Sequence, residues 1–246
     1  MTRRDNTLTE RSVPDVFCWT KFGAEAGEQA PSIMRRKELE RLRNSGVFLW
    51  GIGNSIRPSL PALLALTDCP EVLFTPMRSQ AAKKDAAPEG LVAWTGAVGW
   101  DGHPYQLPAH TLVTSRHDVS SPRSNHFALV CRSDRPLSTD LAGTASVDPD
   151  EVRNINSGSS VGSSQVTSVV RRSGKALGRS SYPVAVRARL VYPYFVRLTS
   201  PVVVPDQLRL DAAPKDALEQ TFTQLLKLCR QVAATTKPLT EQLTLI

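Results

Sequence analysis

Long hydrophobic runs and closely spaced cysteines are both missing from this sequence. No apolar stretch approaches the roughly eighteen residues that span a bilayer, so we expect a soluble protein. Residues 1–14 are polar and lack the apolar core of a secretory signal, which predicts a disordered tail and a cytoplasmic location. The four cysteines are too far apart to suggest a zinc or redox site, and we expect buried thiols: Cys18, Cys69, Cys131 and Cys229.

Catalytic motifs are also scarce. There is no phosphate-binding loop with its Lys and Ser/Thr, and no nucleophile elbow. Gly51-Ile52-Gly53 is only a fragment of a dinucleotide-binding fingerprint. The sequence therefore favours a binding protein without a cofactor or a metal over an enzyme.

The histidines provide an alternative. His103, His110 and His117 recur every seven residues, but Pro104 and Pro108 prevent them from sharing one helical face. An enzyme acting on a nucleotide or nucleic acid through residues 103–126, which also include His126, stays open as a second hypothesis.

Acidic residues are absent from one long segment. The formal net charge is +7, and residues 152–205 contain no Asp or Glu. Eight basic residues lie in that segment: Arg153, Arg171, Arg172, Lys175, Arg179, Arg187, Arg189 and Arg197. A concentrated basic region is typical of a surface that binds a phosphate backbone, so we expect nucleic acid, either DNA or RNA, as the partner. A merely solvated cationic face is the alternative, and the lack of a basic amphipathic helix in this segment argues against anionic lipid.

Short β-prone runs with one or two helices between them predict an α+β fold, with a small, curved β-barrel or a strongly curved sheet and helices outside it. Residues 183–204 show the clearest period-two pattern, with apolar residues alternating against Arg187 and Arg189. A helix that ends near Arg43 has a basic face. Residues 214–235 predict a second helix, whose apolar stripe we expect to dock on the barrel: Leu218, Phe222, Leu225, Cys229 and Val232. Recruitment of an effector protein through this helix is an alternative.

Three tryptophans lie on or at the ends of predicted strands. Trp19 ends the first strand, Trp50 ends the second beside two glycines, and Trp94 lies on a later one. Their indoles could converge at one mouth of the barrel, where they would stack an unpaired base and favour a methylated one. The alternative is that all three are core residues.

The order of these pieces resembles the YTH and EVE branch of the PUA-like superfamily. The resemblance covers about residues 15–170 and is one of order and pattern. It is carried by these segments: Val16-Phe17-Cys18-Trp19-Thr20-Lys21-Phe22, Gly46-Val47-Phe48-Leu49-Trp50 leading to Asn54, Val72-Leu73-Phe74-Thr75-Pro76-Met77, the strand around Trp94, and residues 129–137.

The resemblance implies a small barrel whose aromatic cage binds a modified, commonly methylated, base. Trp50 then matches the first cage tryptophan, Lys21 the lysine beside the pocket, and Asn54 a polar residue that reads the base edge. The second cage tryptophan falls near Leu129, so Trp19, Trp94, Phe127 or His126 would complete the pocket. We also expect Gly51 and Gly53 to allow close approach of a base.

The resemblance divides the chain into a barrel over residues 15–170 and an extension over residues 171–246. In the extension, we expect six side chains to hold the nucleic-acid backbone: Arg171, Arg172, Lys175, Arg179, Arg187 and Arg189. An accessory subunit of a phage-defence or DNA-modification system is a further alternative for such a binder.

Overall fold

The computed structural model describes residues 13–23, 29–52, 62, 65–67, 70–77, 90–117, 126–138, 145–161, 167–172, 181–205, 208 and 217–243. The fold is α+β and dominated by strands. The strands are β1 (Val16–Phe22), β2 (Val47–Ile52), β3 (Glu71–Pro76), β4 (Gly90–Gly99), β5 (Pro104–Tyr105), β6 (Val113–His117), β7 (His126–Arg132), β8 (Ser146–Val147), β9 (Val152–Asn154), β10 (Thr167–Arg172), β11 (Tyr182–Pro183) and β12 (Val186–Val203).

Two long helices accompany the strands, α1 (Ala30–Arg43) and α2 (Leu218–Leu243), and residues 62 and 65–67 are also helical. Helix α1 has Pro31 in its first turn, where the missing N–H costs nothing. It ends at Asn44, and the following Ser45 and Gly46 have φ of 52° and 93°. Among the described residues, no helix combines the length and apolarity that crossing a membrane requires.

Ten of the described strands form one sheet, and β12 is its organising strand. The order β2-β7-β12-β3-β1-β10-β9 runs across the sheet, and β4 pairs with β12, β5 and β6. The first part of β12 lies between β3 and β7, and a register shift occurs between Leu190 and Phe195. Beyond the shift, β12 pairs with β4 as well as β7, so the sheet curls around this strand. Because β12 follows residue 170, the predicted extension supplies a central strand of the sheet.

The alternation predicted for residues 183–204 is confirmed in the first part of β12. Val186, Ala188 and Leu190 are buried, whereas Arg187 is half-buried and Arg189 is exposed. We call the face that carries the first three residues face A, and the opposite face, which carries the arginines, face B. Across β7, Leu129 and Cys131 belong to face A, while Val130 and Arg132 belong to face B.

Four hydrophobic clusters form the core. The largest covers face A, where Ile33 and Met34 of α1 pack against the sheet. On face B, one cluster lies inside the curl formed by β2, β7, β12, β4 and β6, and another lies beside β1, β3 and β10. The fourth joins α2 to Ala93 of β4, so the helix docks on the sheet, as the apolar stripe predicts.

The curl is not a closed barrel. Strands β2 and β6 lie against each other, but no hydrogen-bonded ladder joins them within the described part of the chain. The closed barrel that we expected is therefore not observed, and the coarser α+β assignment is what holds.

Glu40 connects β2 and β6. Its fully buried carboxylate accepts hydrogen bonds from the backbone N–H of Leu49 in β2, at 3.4 Å, and of Leu112, next to β6, at 3.1 Å. Lys37 Nζ lies 2.7 Å from the same carboxylate and 2.9 Å from Leu112 O, and Arg36 Nη1 lies 2.8 Å from Leu112 O. Burial raises the pKa of Glu40, and the adjacent Lys37 and Arg36 oppose that shift.

These contacts change the interpretation of the basic face of α1. Arg36 and Lys37 are buried rather than solvated, because they share the Glu40 carboxylate at spacings of four and three residues and both donate hydrogen bonds to the Leu112 carbonyl. Arg41 pairs with Glu38 and Arg43 with Glu219 of α2. Of this group, Arg35 is the exposed member with no ion pair to a described residue.

We expect Glu40→Gln to lower the free energy of unfolding by about 3 kcal/mol or more, because it leaves two buried cations without their counter-charge. Chemical denaturation at neutral pH measures this loss. Glu219→Gln is the control, since it removes an exposed ion pair and should cost less than about 1 kcal/mol. Equal, small losses in both variants would contradict the bridging role of Glu40.

Candidate functional site

The three tryptophans expected to form a cage do not meet. Trp50 is 7% exposed and packs edge-on against Phe22 and Phe74 in the face A cluster, at ring distances of 5.2 and 4.8 Å. Trp19 belongs to the cluster beside β1, β3 and β10, and Trp94 lies inside the curl. The alternation of side chains along β1 explains why Trp19 and Trp50 are apart. Phe22, which contacts Trp50, projects from the face of β1 opposite to the one that carries Trp19.

Each of the other two indoles has its own partners. Trp19 is fully buried, and its Nε1 donates a hydrogen bond to Thr75 Oγ1 at 3.0 Å. Trp94 stacks on His126 with ring centroids 5.6 Å apart and an interplanar angle of 6°. The expectation that the three indoles converge at one cavity is therefore wrong, because they are core residues in three separate clusters.

Lys21 lies in an aromatic setting of its own. Only 1% of the residue is exposed, and Nζ lies 4.8 Å from the Trp19 ring centroid and 5.9 Å from that of Tyr182. Nζ also donates a hydrogen bond to Val161 O at 3.5 Å. Burial lowers the pKa of Lys21 to about 8. Because Trp50 lies in a different cluster, Lys21 and Trp50 do not share a pocket.

The other residues expected to bind a base lie in different places. Leu129 is buried directly opposite Trp50. Phe127, two residues earlier on the same face, is half-buried. Gly53 and Asn54 lie outside the described residues.

Gly51 has a structural role inside the curl. A Cβ at this position would lie 2.9 Å from Val113 Cγ1 of β6. Glycine therefore allows β2 and β6 to approach each other, which explains its presence without a ligand.

The basic segment is acid-free in sequence but not in space. Arg172 pairs with Glu151 at 3.1 Å, and Arg187 lies 3.9 Å from Glu71. Arg171 is exposed. Lys175 and Arg179 lie outside the described residues. The six residues expected to contact the nucleic-acid backbone are thus not equivalent, because Arg172 and Arg187 lie within ion-pair distance of carboxylates.

Arg189 has another arginine directly opposite it, which the sequence did not reveal. It lies directly opposite Arg132 of β7, and on its other side it lies opposite Glu71 of β3. Residues opposite each other on antiparallel strands project to the same face, so Arg132, Arg187 and Arg189 share face B. We call these three residues the arginine row. Arg132 and Arg189 are exposed, and Arg132 also lies 3.7 Å from Asp134, itself highly exposed.

Trp50, Leu129 and Phe195 lie opposite one another across β2, β7 and β12, and we call them the Trp50 row. An open hollow lies on face A next to this row. Its volume is about 290 Å³, and its lining residues are Val98, Gly99, Trp100, Gly102, Phe127, Phe195, Val196 and Arg197. Trp100 is the fourth tryptophan of the chain and is 49% exposed. Trp100 was not among the predicted base-binding residues, although its position in the run Gly99-Trp100-Asp101-Gly102 is a signal for an indole held in a turn.

The histidines are dispersed. His103 is exposed in the turn before β5, the backbone N–H of His110 bonds to Asn44, and His126 stacks on Trp94. Over the described ranges, no group of three or more His, Cys, Asp or Glu side chains is arranged to hold a metal ion. The cysteines described, Cys18, Cys131 and Cys229, are buried free thiols, as the spacing predicts.

No family model, no curated protein and no solved structure matches this chain. The geometry of its own residues is therefore what supports a function.

Lys21→Met should raise the free energy of unfolding at pH 7 by up to about 3 kcal/mol, because burial of the charged ammonium opposes folding. The folded-state pKa of about 8 lies below the ordinary 10.5, so this penalty is complete below pH 8 and shrinks as pH rises to 10.5. Denaturation of both proteins across that pH range measures the narrowing difference. A less stable variant at pH 7 would show that the contacts with Trp19, Tyr182 and Val161 outweigh burial.

Gly51→Ala should lower the free energy of unfolding by about 1–3 kcal/mol, because the new methyl overpacks against Val113. Val113→Ala is the matched second change. Thermal or chemical unfolding of the single and double variants should show a double-variant loss smaller than the sum of the two. Strict additivity would contradict the contact.

Proposed function

We propose that this protein binds nucleic acid through the arginine row of face B. The observation that carries the proposal is the exposed pair Arg132 and Arg189, which face each other directly across β7 and β12. Like charges in this position repel each other and destabilise a sheet. Glu71 opposite Arg189 and Asp134 near Arg132 offset part of that repulsion. A phosphate group bound between the two arginines would remove the rest, which makes the pair suited to hold one.

A third arginine extends the pair along face B. Arg187 lies on the same face two residues from Arg189, and its partner Glu71 lies 3.9 Å away. Asp134 is 89% exposed at its side chain, so its ion pair with Arg132 is weak and a phosphate can displace it. Guanidinium groups bind phosphate through two parallel hydrogen bonds, which favours arginine over lysine in this role.

The sequence supplies independent support. Residues 152–205 lack acidic residues, and the whole chain carries a net charge of +7. The resemblance to the PUA-like superfamily points to the same class of partner and belongs to this proposal.

A modified base is the narrower partner that the YTH and EVE resemblance adds. Trp50 contacts Phe22 and Phe74, so a cage would have to use aromatic walls other than the three tryptophans first considered. An enzyme acting through the histidines finds no comparable support among the described side chains, because His103, His110 and His126 contact different elements.

The double variant Arg132→Gln, Arg189→Gln should weaken binding of single-stranded and duplex DNA alike, because it removes contacts with the backbone. The slope of log affinity against log salt concentration should become shallower by about 2, one unit for each lost phosphate contact. Fluorescence anisotropy of a labelled oligonucleotide over a salt series measures both effects. Thermal stability should be retained, since the substitution also removes a repulsion.

Arg35→Gln is the matched control, because Arg35 is an exposed arginine on α1 and outside the arginine row. It should leave the salt slope unchanged. An unaltered slope in the double variant would overturn the proposal. So would binding of the wild-type protein to anionic phosphatidylserine vesicles together with no affinity for either form of DNA.

A further inference from the structure

The hollow on face A combines aromatic walls with one cation. Phe127 and Val98 lie directly opposite Arg197, on β7 and β4, so the three side chains project to the same face. Phe195, two residues before Arg197, also lines the hollow and connects it to the core. Trp100 completes the lining.

The turn that carries Trp100 is held in place by several hydrogen bonds. Gly99 N–H donates to His103 O at 2.8 Å, and Gly102, with φ of 85°, donates to Gly99 O at 3.0 Å. Asp101 accepts from the His103 N–H at 3.0 Å, and its other oxygen accepts from the Tyr192 hydroxyl of β12. These two bonds, the Tyr192 hydroxyl first, lower the pKa of Asp101. The indole of Trp100 is thus held half-exposed rather than folded into the core.

We infer that this hollow binds one unpaired nucleobase, stacked on Trp100 with Phe127 as a second apolar wall and with the attached phosphate at Arg197. A volume of about 290 Å³ lies at the lower limit of small-molecule sites, which suits a single base better than a larger cofactor. An exposed indole is a stacking platform for any base, and a nearby arginine contributes charge. That this base is part of a nucleic-acid strand rests on the proposed function.

No described acidic residue pairs with Arg197, which is exposed. Asp101 is the carboxylate in the neighbouring turn, and its two oxygens already accept hydrogen bonds. Arg197 and the arginine row belong to opposite faces of β12, so the base site and the backbone site can be altered separately.

Intrinsic fluorescence isolates this site. Trp19, Trp50 and Trp94 are 0%, 7% and 2% exposed, against 49% for Trp100, so acrylamide quenching reports mainly on Trp100. We expect saturating single-stranded oligothymidylate to protect the protein from acrylamide. Its duplex with oligoadenylate should give no protection, because the bases of a duplex are already stacked and paired.

Trp100→Ala should lower the affinity for single-stranded oligothymidylate about tenfold and leave duplex affinity unchanged. Trp100→Phe should retain most of the affinity, since it keeps a stacking face, and Arg197→Gln should reduce single-strand binding. Leu42→Ala and Arg35→Gln are matched controls, because they change an exposed apolar residue and an exposed arginine on α1. Circular dichroism checks that each variant is folded.

The two proposals fail in different ways. If Trp100→Ala and Arg197→Gln bind single strands like the wild type while the arginine-row variant loses affinity, the base site is overturned and nucleic-acid binding stands. If the wild type binds neither form of DNA, the proposed function is overturned. Thymidine monophosphate then tests the hollow alone, and unchanged acrylamide quenching at high nucleotide concentration overturns the base site too.

Discussion

The buried carboxylate of Glu40 is the interaction on which the curled sheet depends. It bonds to backbone N–H groups beside two strands that have no ladder between them, and Arg36 and Lys37 add bonds to the Leu112 carbonyl. A side chain of α1 therefore links β2 to the residue next to β6, where the described residues form no ladder. Burying three charges is costly, and it is tolerated here because each charged group bonds to another or to the backbone.

This arrangement leaves the two faces of the sheet with different roles. Helix α1 and the residues that pack with it cover much of face A, so its apolar side chains, including Trp50, are removed from solvent. On face B, two clusters cover the ends of the sheet, and the arginine row lies on the strands between them. The open hollow occurs where face A extends along β4, β7 and β12 beyond the Trp50 row.

Much of the secondary structure could be predicted from local patterns. The runs that became β1, β2, β3 and β7 are short and β-prone, and the arginine alternation marked β12. The segment at Thr167–Arg172 had no decisive period, and pairing with β1 and β9 makes it a strand. Two-residue strands such as β8 and β11 exist because of their partners, so local preference has little influence on them.

The candidate sites show a sharper limit. Arg132 lies outside the acid-free segment, and its position opposite Arg189 depends on which strands become neighbours. Trp19, Trp50 and Trp94 have similar sequence surroundings, yet they belong to three clusters. The exposure of Trp100 had a local signal in the sequence. Its neighbours are two glycines and an aspartate in a turn, and such a turn brings few core residues to an indole.

By itself, the amino-acid sequence determined most of the longer strand and helix segments, the docking stripe of α2 and the positive charge of residues 152–205. Those properties depend on side-chain periodicity and composition, which act over a few neighbouring residues. Only the tertiary structure decided that the sheet curls without a closing ladder among the described residues, which indoles are buried and which arginines face each other. Those outcomes depend on strand order and on which face α1 covers, and both result from contacts between residues far apart in the chain.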